Sequence, residues 1–368
     1  LNFESYATII RSNAVRRMLV MGFKKLEILA HNGESDIADI ASACADLAKK
    51  ASEQAPGRSM WKDMEHVLGA HFRELNLRID AHNNDAVIGV PTGIRDLDEM
   101  LHGLRPGKLY ILAGRPAMGK SALLGNILGN ASRSGHRCAE FSLEMGDVEL
   151  VDRMLADVAR VDYGDIQRGR LNIEQMRRID DAKDQMWSWP LHIDDTPTRT
   201  ITQIAFAGRQ LKAMHPDLSL IGVDYLQLAS SSPGGESRRE QQVSAISRGL
   251  KLLAREIDVA VVCLGQLNRE CERRPNKRPM LSDLRESGAI EQDADCVMFV
   301  YRDEYYNPDS PDLGVAEVIV SKHRGFQTGK VRLDWKPKNQ RFSSGAAVIR
   351  KSQPRASHGS FTQNPDDF

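Results

Sequence analysis

One octapeptide restricts what this chain can fold into. Gly114-Arg115-Pro116-Ala117-Met118-Gly119-Lys120-Ser121 fits the pattern GxxxxGK[ST] in full. The apolar run Leu109–Ala113 precedes it and the helical run Ala122–Leu128 follows it. A strand that feeds a glycine-containing loop and then a helix aims several backbone N–H groups, and the helix N-terminus, at one spot. Such a spot favours an anionic phosphate. Gly119 lets the backbone close on the phosphates, Lys120 supplies a point charge between β- and γ-phosphates, and the Ser121 hydroxyl is short enough to ligand Mg²⁺.

The surrounding pattern agrees with that context. From about residue 90, short apolar runs alternate with helical segments: Cys138–Leu143, Leu218–Val223, Val259–Leu264, Cys296–Tyr301 and Val315–Val320 follow the first run. Buried strands separated by helices predict an α/β fold with a parallel central sheet covered on both faces. The last runs, with Val331–Leu333, are closely spaced and predict antiparallel strands at the sheet edge.

The N-terminal part reads differently. Residues 1–57 are helical in pattern, with Tyr6, Ile10 and Ala14, and then Ile37, Ile40, Ala41, Cys44, Leu47 and Ala48, at helical spacing. Asp36 or Ser35 is placed to cap the second helix. Residues 58–85 predict an isolated helix. Ser59 stands at its start, Trp61, Met64, Leu68, Phe72, Leu75 and Ile79 line one face, and Asn83-Asn84-Asp85 closes it. That stripe either packs on its own domain or docks on another subunit. The ATPase-like region is then 86–344, and 345–368, rich in Ser, Gln, Pro and Asn, reads as a disordered tail.

Composition narrows the classes. Fifty basic residues balance fifty acidic ones, which excludes a uniformly basic nucleic-acid coat but not a local basic surface. No apolar stretch approaches the roughly 18 residues of a membrane helix. The start, Leu1-Asn2-Phe3-Glu4, has neither Met nor the regions of a signal peptide, so a fragment of a longer chain is expected. Cys44, Cys138, Cys263, Cys271 and Cys296 are odd in number and none has CxxC spacing. This argues against a disulfide framework or zinc site and for a reducing cytoplasm.

A phosphate loop that hydrolyses needs a second anchor for magnesium and a group acting on water. Asp224 ends the strand Leu218–Val223, where a Walker B carboxylate sits, though a strand-end Asp also caps turns. Glu144 ends the strand Cys138–Leu143, where a carboxylate orients or deprotonates water, or else caps the following helix. Gln266 closes the strand Val259–Leu264, where an amide senses a γ-phosphate or simply forms a turn. Carboxyl ends of adjacent strands are where an open α/β sheet builds its site.

With these residues in view, the chain resembles the DnaB family of replicative hexameric DNA helicases, bacterial and phage. The matching segments are Pro91-Thr92-Gly93-Ile94-Arg95-Asp96-Leu97-Asp98, the loop Gly114–Ser121, Phe141-Ser142-Leu143-Glu144-Met145, Asp224-Tyr225-Leu226-Gln227-Leu228 and Gln266-Leu267-Asn268-Arg269. The most specific is Lys277-Arg278-Pro279 through Ser282-Asp283-Leu284-Arg285-Glu286-Ser287-Gly288 to Asp295. The match covers about residues 85–342, and residues 1–80 look like the end of a helical collar and the family's linker helix.

The resemblance implies a RecA-like fold, a ring of six subunits, and ATP- and Mg²⁺-dependent 5′→3′ travel on single-stranded DNA. It implies Glu144 as catalytic carboxylate, Asp224 as Walker B acid and Gln266 as γ-phosphate sensor. Lys322 and Arg324 would be the finger pair supplied to the neighbouring subunit's ATP. Arg285, Glu286 and Gly288 would lie in a DNA-contacting loop, with Ser230–Gly235 a second loop facing the channel. Primase and a helicase loader are the implied protein partners, and the replication fork in the cytoplasm is the implied place. His323 stands where Gln is more usual, and Gly265 where Ser is common.

Two basic runs agree with a DNA-facing surface without requiring one. Residues 322–341 hold seven Lys/Arg and a single Asp, which also suits a charge-protected edge strand. Residues 269–285 add Arg269, Arg273, Arg274, Lys277, Arg278 and Arg285. Two other functions share these residues: a RecA-like recombinase that forms open filaments, and a non-motor, ATP-gated ring acting as scaffold or loader. Glu144 and Gln266 argue against the scaffold, which has no need of a hydrolytic carboxylate.

Overall fold

The computed structural model describes residues 3–31, 36–54, 63–84, 86–197, 199–224, 236–284 and 287–345. Three helices come first: α1 (Phe3–His31), α2 (Ile37–Gln54) and α3 (Met64–Asn83). The motor region opens with α4 (Arg95–Leu101), β1 (Leu109–Gly114), α5 (Lys120–Arg133), β2 (Arg137–Ser142), α6 (Asp147–Ala159), α7 (Tyr163–Arg168) and α8 (Ile173–Met186). It continues through β3 (Leu191–Asp194), α9 (Ile201–Met214), β4 (Leu218–Asp224), α10 (Glu236–Ile257), β5 (Ala260–Gln266) and α11 (Ser287–Asp293). The strands β6 (Cys296–Tyr301), β7 (Val315–His323), β8 (Gly329–Lys336) and β9 (Arg341–Ser344) complete it.

The nine strands form one sheet in the order β3-β2-β4-β5-β1-β6-β7-β8-β9. The β3-to-β6 part is parallel, and β6 to β9 is antiparallel. Every residue of β1 is buried, because the strand feeds two cores. Tyr110 and Leu112 pack with Leu123, Leu124, Ile127 and Leu128 of α5 on one face. Leu109, Ile111 and Ala113 pack with Ile204 of α9 and Leu250 and Leu253 of α10 on the other. Burial on both faces is why the central parallel strands read as mainly apolar runs.

Two strands were not foreseen. β3 has the sequence LHID and is half-buried throughout, and β9 has the sequence RFSS with only Phe342 buried. Both are four-residue edge strands, too short and too polar to carry a periodic signal.

The N-terminal helices follow local chemistry. Asp36 Oδ1 accepts the N–H of Ala38 at 3.0 Å, as its capping position predicts, while Ser35 lies outside the described residues. Helix α2 sits against α9 and α10, with Gln203 donating to Asp36 at 2.9 Å and Lys49 pairing with Glu256 at 2.8 Å. Asp63 caps α3 by accepting the N–H of His66 at 2.7 Å. Ser59 and Trp61 lie outside the described residues. No residue of α3 is buried, and Met64, Val67, Leu68, Phe72 and Ile79 are exposed. Leu75, also of the expected stripe, is half-buried. Residues 346–368 of the expected tail also lie outside the described residues.

No helix among the described residues is long and apolar enough to cross a membrane. All five cysteines are unpaired, and no group of three or more metal-ligating side chains occurs among the described residues.

Candidate functional site

The parallel register brings the foreseen polar groups together. Gly114 at the end of β1 lies beside Gln266 at the end of β5, and Ser142 at the end of β2 lies beside Asp224 at the end of β4. β2, β4, β5 and β1 are consecutive neighbours in the sheet, so their carboxyl ends form one rim. A cleft of about 470 Å³ opens there, lined by Lys120, Ser121, Glu144, Asp224 and Gln266. Pro116, Ala117 and Gly119 of the loop also face it.

The loop is held in a shape that few sequences tolerate. Gly119 has φ 95° and caps α5, and Ala117 is left-handed as well, at φ 63°. A side chain at Gly119 would place Cβ 2.8 Å from the Phe342 ring. Met118 is buried and pins the loop to the core. Arg115 points away from the cleft, donating to Glu272 at 2.8 Å and to the Leu267 carbonyl at 3.0 Å.

The charges suit a polyanion. Lys120 Nζ donates to the carbonyls of Gly114 at 2.9 Å and Arg115 at 3.2 Å. Burial pulls its pKa down to about 8, against the pull of the Asp224 and Glu144 carboxylates. Burial also raises the Asp224 pKa, opposed by the Ser121 hydroxyl and reinforced by the charge of Glu144. Asp224 Oδ2 is buried without a hydrogen-bond partner among the described residues. An orphaned carboxylate oxygen beside a serine hydroxyl fits a divalent cation.

Glu144 does not cap the following helix. Gly146 is the N-cap of α6, and Glu144 lies two residues beyond the end of β2, facing the cleft.

Several contributors were not foreseen. Arg302, Trp335, Pro337 and Gln340 form the far wall of the cleft. The Arg302 guanidinium lies 5.3 Å from the Trp335 ring centroid and donates to the Ala117 carbonyl at 3.1 Å. Trp335 packs on Phe342 at 4.4 Å between centroids. These residues meet only because the antiparallel edge folds back over the loop, which local spacing does not report. Glu140 is the other surprise. It is fully buried inside β2, its Oε2 has no partner among the described residues, and burial, then the Asp224 charge, push its pKa up to about 8. A carboxylate inside an apolar run was the available signal.

Lys322 and Arg324 are not at this rim. In the antiparallel register Lys322 lies beside Val297 and His323 beside Cys296, at the opening end of β6. That is the end of the sheet opposite the phosphate loop: Cys296 pairs with Tyr110, four residue steps or about 13 Å along β1 from Gly114. Lys322 donates to the carbonyls of Ala294, at 2.9 Å, and Glu291, and Arg324 donates to that of Gln292.

Arg285 and Glu286 lie outside the described residues. Gly288 is exposed and lies in the first turn of α11. The base of that segment is firmly tied. Leu284 bridges to Leu267, just past Gln266, and the Asn268 N–H donates to the Asp283 carbonyl at 2.8 Å. The expected second loop, Ser230–Gly235, is outside the described residues.

Comparison with known proteins converges. Residues 89–344 match the family described as DnaB-like helicase C terminal domain. The chain is 38% identical over 334 residues to the replicative DNA helicase DnaB of Geobacillus stearothermophilus, covering 90% of this chain and 72% of that one. It is 37% identical to the replicative DNA helicase DnaB of Haemophilus influenzae, covering 94% of this chain and 74% of that one. Among solved structures, an ATPase domain matches with a TM-score of 0.71 and 34% identity, over 78% of this chain and 100% of that one. A DnaB-like replicative helicase, whose structure is described with its interactions with primase, matches with a TM-score of 0.70 and 31% identity. The match covers 88% of this chain and 76% of that one. Relatives named as helicases decide against the recombinase and the scaffold. With its phosphate loop, its carboxylate rim and these matches, the chain belongs to the DnaB family of replicative DNA helicases, ATP-dependent enzymes.

Proposed function

We propose that this chain is one subunit of a ring-shaped hexamer that hydrolyses ATP to travel 5′→3′ on single-stranded DNA and separate the duplex ahead of it. Residues Gly114 to Ser121 cradle the phosphates, with Lys120 bridging β- and γ-groups. Ser121 and the orphaned oxygen of Asp224 would hold Mg²⁺, which supplies charge that offsets the phosphates. Glu144 orients or deprotonates the attacking water, and Gln266 senses the γ-phosphate. Lys322 and Arg324 serve the ATP of the adjacent subunit. Arg285 and Glu286, with Gly288 behind them, contact the strand, and the exposed stripe of α3 docks on a neighbouring subunit.

The observation that carries this reading is the split of the machinery between the two ends of the strands of one sheet. The loop, Glu144, Asp224 and Gln266 share the carboxyl rim, while Lys322 and Arg324 lie at the opposite, amino rim of the parallel strands. A single subunit cannot close its own site, and a ring of identical heterologous contacts closes all of them. Primase is the proposed partner, supported by the primase-interacting neighbour, and a helicase loader is proposed from the family alone. Such a motor works at the replication fork in the cytoplasm.

Forked DNA tests the motor. Unwinding should require ATP and a free 5′ arm, and Lys120→Ala should abolish it with the fold intact. Equal unwinding from a 3′ arm, or unwinding by a well-folded Lys120→Ala variant, contradicts the reading.

A further inference from the structure

The turn that carries Arg324 does not hang free. It joins β7 to β8, and Phe326 is half-buried in it, against the segment that follows α4. The Phe326 ring lies 4.4 Å from the His102 ring and 4.9 Å from the His323 ring, between centroids. The Arg105 guanidinium sits 4.8 Å from the Phe326 centroid. His323 Nδ1 accepts the N–H of Gly325 at 3.1 Å and that of Phe326 at 3.0 Å. An accepting Nδ1 requires the neutral ring, with its proton on Nε2. Burial, then the Arg105 charge, holds the His323 pKa below the usual range and keeps the ring neutral, with Asp295 pulling the other way and His102 and Lys108 adding to the depression. The residues on both sides of Arg324 are therefore fixed, while Arg324 itself is exposed.

The surface that receives Phe326 is well packed and hydrogen-bonded. Leu101 and Leu104 are fully buried, and Leu104 exchanges backbone hydrogen bonds of 2.8 Å with Val90. The Arg105 N–H donates to the Tyr110 hydroxyl at 2.8 Å, so Arg105 is anchored to β1. His102 caps α4 in the left-handed conformation, its N–H on the Asp98 carbonyl. Arg78 and His82 of α3 line the same cleft as His102, Arg105 and Phe326, so this platform lies where the linker helix reaches the motor.

We propose that Phe326 and Arg105 form a latch that fixes the turn His323–Phe326 and thereby presents Arg324 to the nucleotide of the adjacent subunit. They are positioning residues, and the inference rests on the trans role of Arg324 proposed above. A cation over an aromatic face is attractive and directional. A turn between two strands otherwise samples many backbone states. Misplacing a catalytic group by about 1 Å costs on the order of 10²-fold in rate. Unlatching therefore lowers turnover and leaves ATP capture alone, because the capturing loop is at the other end of the strands.

The test uses the assembled full chain and DNA-stimulated ATP hydrolysis. Phe326→Ala should lower kcat by about 10–100-fold, with KM for ATP and the hexamer mass unchanged, and Phe326→Tyr should restore it. Arg105→Gln, which leaves the turn's own sequence intact, should lower kcat in the same way and serves if Phe326→Ala misfolds. Combined with Arg324→Ala, neither change should lower the rate further, since both act through that side chain. Normal turnover in folded Phe326→Ala and Arg105→Gln hexamers, beside an inactive Arg324→Ala, overturns the latch alone. An additive loss in the Arg324→Ala background also overturns it. Full activity in Arg324→Ala overturns the finger reading and the latch with it.

Discussion

The Lys322 ammonium donates to the carbonyl oxygen of Ala294 at 2.9 Å, at the foot of α11. Arg324 does the same for Gln292. The last carbonyls of a helix lack partners within it and attract cations. Both proposed finger cations are thus held at the end of the helix that follows the candidate DNA-contacting segment. In the isolated chain they face away from its own phosphates. If the proposed trans role holds, engaging a neighbour's nucleotide would exchange these helix carbonyls for a phosphate oxygen.

Glu144→Gln should bind ATP and fail to turn it over. The amide keeps the shape and hydrogen bonding of the carboxylate and removes its basicity. General-base contributions are typically about 10²–10⁴-fold. Nucleotide binding by fluorescence, beside steady-state turnover, checks this. Turnover that falls only in proportion to binding makes Glu144 structural.

Glu140→Gln should change the pH dependence of stability. The folded-state pKa is raised by burial from an ordinary 4.5 to about 8, so folding holds a proton that the unfolded chain releases. That stabilisation is fully present below about pH 4.5 and is lost as pH rises toward about 8, and every tenfold change in proton affinity is worth about 1.4 kcal/mol. Above that range a buried charge must be carried beside Asp224. The amide has no charge to carry, so the variant should melt higher than the parent at about pH 8–9 and show a flatter profile below. Melting curves that stay parallel from about pH 5 to 9 contradict this assignment.

Legibility of the sequence followed burial. Strands β1, β2, β4, β5 and β6 were readable because both of their faces are largely buried, so each is mostly apolar, with Glu140 the one carboxylate inside β2. β3 and β9 were not, since an edge strand such as Arg341–Ser344 buries one side chain. The rim residues were readable because strand ends announce themselves, as Asp224 does after Leu218–Val223. Trp335 and Arg302 were not, because their meeting over Ala117 depends on how the edge hairpin folds across the loop. The start of α11 at Ser287 was not legible, because the motif marks a segment without marking where its helix begins.

Leu68→Asp with Phe72→Asp should weaken the hexamer and leave the motor folded. Both side chains are exposed on α3 and belong to the stripe with Met64 and Ile79. Burying such groups against a partner is worth about 1.5–3 kcal/mol each, and charges reverse the sign. Sedimentation should show smaller species with an unchanged melting transition. Intact hexamers with a destabilised subunit would mean that the stripe packs within the chain after all.

The trans-completed site is the centre of the account, and mixing two inactive variants tests it most directly. Lys120→Ala removes the capturing loop of a subunit, and Arg324→Ala removes only what it lends to the next. Finger residues contribute about 10³–10⁵-fold in related phosphoryl transfers, so each pure variant should be nearly inactive. In randomly mixed rings, some Arg324→Ala subunits keep an intact loop beside a neighbour that still supplies Arg324. ATP hydrolysis by the mixture should therefore exceed that of either parent. No recovery in rings shown to contain both variants, or full turnover by Arg324→Ala alone, would contradict the account.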